Sequence, residues 1–115
     1  MARSHYYLSI ADLASARGSD PRFAFSGAGP NDFASALQQS LRDTTLFDQW
    51  RAAQSDPDAV DASLAATDPQ AEVSAKVADL HIDIELLTTL PMSVVRQRLN
   101  VLVGGSWQLR DMRSA

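Results

Sequence analysis

LHIDIELLTTLPMSVVRQRLNVLVGGSWQLRDMR, residues 80–113, decides the fold. Leu80, Ile82, Ile84 and Leu86 alternate with His81, Asp83 and Glu85, the period-two pattern of a strand with one face buried. Thr88 and Thr89 lead into Leu90-Pro91, where proline's fixed φ and missing N–H suit the first turn of a helix. Met92, Val95, Leu99 and Leu102 then form one apolar stripe over 91–103, with Arg96, Gln97, Arg98 and Asn100 turned mostly away from it. Gly104-Gly105 supplies a helix stop, and Trp107, Leu109 and Met112 predict a closing strand. The order is strand, helix, strand.

Working outward, Tyr6, Leu8 and Ile10 alternate with Tyr7, Ser9 and Ala11, predicting a first strand over 5–11. Asp12 to Pro21 carries loop chemistry. Phe23 and Phe25 flank Ala24 in a short second strand, and a hairpin between these two strands is the simplest pairing. Ser26-Gly27-Ala28-Gly29-Pro30 breaks that strand, and a helix over 31–43 follows, with Phe33, Leu37 and Leu41 on its apolar side. Residues 44–53 suit a short helix capped by Asp43 or Thr44, although the threonines and aromatics also suit a strand.

Ser55-Asp56-Pro57-Asp58 and Thr67-Asp68-Pro69 punctuate an alanine-rich stretch, predicted as an acidic surface segment or lid over 54–70. From Val73 to Val77 the apolar residues fall on odd positions, and from Leu80 on even ones. A bulge near Ala78-Asp79 in one long strand accounts for the switch, with a helical turn at 70–77 as the alternative. The one internal echo is strand–turn–proline–helix, at 23–41 and again at 80–102.

Composition bounds the rest. A chain of 115 residues with 45% hydrophobic content and no cysteine is one domain, built without disulfides or thiolate ligands. No run of eighteen apolar residues predicts a membrane span, and the N-terminus does not read as a secretory signal. The cytoplasm is the default compartment. Lys76 is the only lysine, and the arginine- and alanine-rich composition suggests a bacterial source. The net charge of −4 argues against general nucleic-acid binding. Asp56, Asp58, Asp61, Asp68, Glu72 and Asp79 against Lys76 make 54–79 the acidic part.

Three features have the residue types for chemistry. His81, Asp83 and Glu85 share one strand face, neighbours roughly 7 Å apart, a spacing compatible with an acid–base pair or a metal. The plain reading is the solvated face of an antiparallel strand. No metal or other cofactor is expected, since the other histidine, His5, stands at the N-terminus. Gly27-x-Gly29 opens a helix, but Asp32 occupies the positive end of its dipole and Pro30 removes a donor, so a phosphate loop is not expected. Arg96, Arg98, Arg110 and Arg113 form a local basic cluster. Arg96, Arg98 and Arg110 are the candidate anion or ligand site, and the acidic lid is an alternative partner for the cluster. Serines show no nucleophile-elbow pattern, and Trp50 and Trp107 read as core or rim anchors.

The expected fold is α+β in two layers, a mainly antiparallel sheet of about four strands with two main helices on one face. The expected function is a non-catalytic interaction module, either self-associating or binding a protein partner, with the apolar N-terminal strand as an unguarded sheet edge. The alternative is a small-ligand or anion-binding protein, or an enzyme, built on the arginines with His81 and Asp83. A third reading, an acidic mimic of nucleic acid, rests only on the charge of 54–79.

Overall fold

The computed structural model describes residues 3–27 and 29–114. Met1 and Ala2 of the N-terminal stretch, Ala28 of the glycine turn and Ala115 lie outside them. The chain runs β1 (Ser4–Ile10), α1 (Pro30–Arg42), α2 (Thr45–Ala52), β2 (Glu72–Ala78), β3 (His81–Thr88), α3 (Met92–Val103) and β4 (Gln108–Ser114). Single 3-10 turns at Pro57–Ala59 and Ala62–Ala65 lie between α2 and β2. Among the described residues, no helix is long and apolar enough to cross a membrane.

The four strands form one antiparallel sheet in the order β2-β3-β1-β4. β3 therefore separates β1 from β2, and β1 separates β3 from β4. Two β-α-β units are interleaved, each split by a strand of the other, which is the ferredoxin-like connectivity. The α+β expectation, an antiparallel sheet with helices packed on it, matches this architecture.

Alternation decides which face is covered. Tyr6, Leu8 and Ile10 of β1 and Ile82, Ile84 and Leu86 of β3 are buried beneath Phe33, Leu37 and Leu41 of α1 and Val95, Leu99 and Leu102 of α3. Each fully buried Leu, Ile or Phe contributes about 1.5–3 kcal/mol relative to exposure. Tyr6 carries its polar end into this core and donates to the Leu90 carbonyl at 3.0 Å, fixing the chain where it enters α3. The 44–53 ambiguity resolves as helix, with Phe47 buried.

Two local expectations are overturned. Phe23–Phe25 is not a strand and makes no hairpin with β1. The Phe23 and Ala24 N–H groups both donate to the Asp20 carbonyl, at 3.1 and 3.0 Å, curling the chain into a turn. The segment then closes the end of α3: the N–H groups of Gly18 and Phe25 donate to the Leu102 carbonyl at 3.1 and 2.8 Å. Carbonyls in a last helical turn lack helical partners, and that need outweighs a three-residue alternation. A Cβ on Gly18 would sit 2.0 Å from the Val101 carbonyl oxygen, so only glycine permits this approach.

The second correction concerns the parity switch near residue 79. The strand does not bulge and continue; it reverses. Ala78 pairs with His81 across the two-residue turn Asp79-Leu80, and Asp79 takes φ 55°, a left-handed position aspartate tolerates better than most residues. Leu80, expected on the core face, is instead 95% exposed at the hairpin tip.

Asp68 joins the 54–70 segment to the end of β3. Its buried carboxylate accepts from the Thr88 hydroxyl (2.8 Å), the Thr89 N–H (3.0 Å) and the Gln70 N–H (2.9 Å). Burial alone raises its pKa, but these donors, with the charge of Arg3, outweigh that and hold it below the usual carboxylate value. The folded value is thus lower than the unfolded one near about 4. The stabilisation is present above about pH 4 and is lost as pH falls through the folded value. Asp68→Asn should cost about 1–3 kcal/mol at neutral pH and flatten the acid limb of stability, as read by urea melts at neutral pH and below about pH 4.

Candidate functional site

The helices cover one face of the sheet, leaving the other bare. On it β3 presents His81, Asp83 and Glu85, as the alternation predicted, and β1 presents His5, Tyr7 and Ser9, with Tyr7 opposite Glu85 and Ser9 opposite Asp83. Lys76 of β2 stands opposite Asp83. The groups pair among themselves. His81 Nε2 lies 3.0 Å from Asp83 Oδ1, and His5 Nε2 lies 3.1 Å from Glu85 Oε1. The His5 and Tyr7 rings stack at 4.2 Å. Among the described residues, no three His, Asp or Glu side chains converge as metal ligands would.

The predicted arginine trio is divided by the sheet. Arg96 is exposed on α3, on the helix-covered side. Arg98 is 0% exposed within that layer. Arg110 lies on the bare face, where its Nε donates to Ser9 Oγ at 2.8 Å. Arg110 does share a site with His81: an open depression of about 690 Å³ at the end of the sheet is lined by Ser9, Asp12, His81, Trp107, Gln108 and Arg110, among others. Arg113, the fourth member of the cluster, is held on β4 by Asp111 at 2.8 Å, and this bond keeps the Asp111 carboxyl below the usual range.

Arg98 is a structural tie. Its guanidinium donates to the carbonyls of Ser40 in α1 (2.9 Å), Leu64 (2.9 Å) and Ala66 (3.3 Å), and to the Gln97 side chain. It also lies 4.9 Å over the Phe47 ring of α2. Burial lowers its pKa to about 10, against the opposing pull of Asp48, so it remains a cation at neutral pH. The expectation that Arg98 turns away from the core is therefore corrected. Val94 and Val101 are buried beside it, so the covered face of α3 is wider than the predicted stripe. The 54–70 segment meets this arginine through backbone carbonyls.

Comparison with family models, curated proteins and solved structures returns no match. Connectivity carries no function by itself, so function has to be argued from the surfaces of this chain.

The surface that sequence reasoning missed is β4. Among the described residues it pairs with β1 alone, and apart from the Met112 N–H, which donates to its neighbour Asp111 Oδ1 at 2.8 Å, no side chain caps its backbone. All seven of its residues are exposed. Leu109 and Met112, opposite the buried Leu8 and Tyr6, point to the helix side yet remain 43% and 54% exposed. The signal was their spacing of three, which ordinary alternation cannot place on one face. A register shift between Tyr7 and Leu8 makes Arg110 the extra residue and brings both apolar side chains to the same side.

If Arg98 is structural and Arg96 superficial, their truncations separate cleanly. Arg98→Ala strands three carbonyls and should cost about 3 kcal/mol or more. Arg96→Ala should stay within about 0.5 kcal/mol of the parent. Urea unfolding measures both.

Proposed function

We propose that this chain is a non-catalytic protein-interaction module whose contact element is β4. The observation that carries the reading is a wholly exposed edge strand with two uncovered apolar side chains on its helix-facing side. An open strand edge is a template for pairing with another chain. The N-terminal strand, expected as an open edge, is not one, since β1 is paired on both sides. On the opposite edge, β2 gives one backbone donor to the helices, the Val73 N–H bonding Gln38 Oε1 of α1 at 3.0 Å, and leaves one large apolar side chain, Val77, uncovered where β4 leaves two. The net charge of −4, with Asp83 and Glu85 on the bare face, favours a protein partner over a nucleic acid.

The test is co-purification from native lysate with tagged and untagged copies present together. The parent should retain a companion, either another protein or the untagged copy, and Leu109→Lys/Met112→Lys should release it while keeping its circular dichroism. A parent that retains neither, or a variant that retains both equally, contradicts the reading.

The depression joining Arg110 to His81 supports a second reading, a site for a small anion. That reading expects inorganic phosphate to raise the melting temperature of the parent but not of Arg110→Ala. Equal responses in the two proteins remove it.

A further inference from the structure

We infer that the occupant of the β4 edge is a second copy of this chain, paired antiparallel so that Leu109 faces Met112 of the second copy. The inference rests on the interaction reading above and names its partner. The argument starts from Gln108-Leu109-Arg110-Asp111-Met112-Arg113. Residues directly opposite in an antiparallel pair share a face. The extra residue at Arg110 places Leu109 and Met112 on the helix side. Gln108, Asp111 and Arg113 fall on the bare face, where Arg110 also reaches Ser9.

Turned against itself about a twofold axis, this hexapeptide matches chemistry at every position. Leu109 meets Met112, Arg110 meets Asp111 and Gln108 meets Arg113, each twice by symmetry. In a regularly alternating strand, a residue and the one three further along point to opposite faces, and this register would be forbidden. The bulge removes that conflict. The same charges that guard β4 against an arbitrary apolar strand become opposite-sign neighbours across the twofold. Arg110 spends its Nε on the neutral Ser9 hydroxyl, leaving its terminal nitrogens for Asp111 of the second copy, whose two oxygens have lone pairs left beside the Arg113 and Met112 bonds they already accept. No proline interrupts the strand, and the exposed Leu109 and Met112 of the two copies cover one another.

The experiment uses the full chain, which has no cysteine of its own. Leu109→Cys and Met112→Cys are made in separate chains, then oxidised alone and mixed. Directly opposite residues lie about 4.5–5.5 Å apart at Cα, within disulfide reach. Like positions in this register are three residues apart along the strand, about 10 Å, and beyond it. Cross-linking should appear in the mixture and be largely absent from either chain alone. In parallel, light scattering across a dilution series follows charge reversals. Arg110→Asp alone and Asp111→Arg alone should each weaken dimerisation about tenfold, and the two together in one chain should restore it. Circular dichroism confirms that each variant folds.

A parent that is monomeric at every concentration overturns the inference. So does a dimer whose mixed cysteine chains fail to cross-link or whose double reversal fails to recover. A monomeric parent that still retains another protein through Leu109 and Met112 sinks the second copy and leaves the interaction reading standing. A parent that retains nothing sinks both.

Discussion

β1 is the constraint on which the rest of the molecule depends. It is paired along both sides, to β3 and to β4, while Tyr6, Leu8 and Ile10 fill the space beneath the helices. An interior strand satisfies its N–H and C=O groups on both sides and buries one full face, so its position is strongly specified. From that position the interleaved order follows. β3 lies between β1 and β2, and the chain returning from α3 pairs on β1's remaining side. β4 thus becomes the edge because β1 is not one. The same placement sets the two faces of the sheet, one dry beneath the helices and one carrying paired histidines and carboxylates.

The helical layer is closed by polar contacts as much as by apolar ones. Arg98 joins α1, α2 and the 54–70 segment to α3, using carbonyls that have no other reason to converge. A buried charge is costly unless its donors are used, and the neighbouring carbonyls supply that satisfaction here. Asp68 does the corresponding job at the end of β3, where Thr88 and Thr89 turn the chain towards Pro91. The alanine-rich segment has little apolar area of its own, and these two anchors place it.

The sequence disclosed those parts governed by period. Ile82, Ile84 and Leu86 on one face of β3, and the α3 stripe through Val95, Leu99 and Leu102, followed from alternation and helical pitch. The reversal at Asp79 did not, because a parity switch reads the same for a bulge as for a turn. Phe23 and Phe25 resembled a strand because three residues cannot separate a strand from a turn that caps a helix. Arg98 escaped because a charged side chain ordinarily marks the wet face. Its partners are carbonyls distant in sequence, and carbonyls leave no residue-type signature. The β4 surface is half legible: Leu109 and Met112 read as apolar, but a spacing of three does not by itself locate a bulge. Arg110 and His81, both legible as candidates from residue type, share a depression, whereas Arg96 and Arg98 lie across the sheet from it.

Residue-resolved hydrogen exchange tests the placement of β1 most directly. The account predicts that the Tyr6–Ile10 amides exchange among the slowest in the chain, at the rate set by global unfolding. It also predicts that the outward amides of β4 exchange far faster in dilute solution. Tyr6–Ile10 amides exchanging as fast as those of an open edge would contradict it.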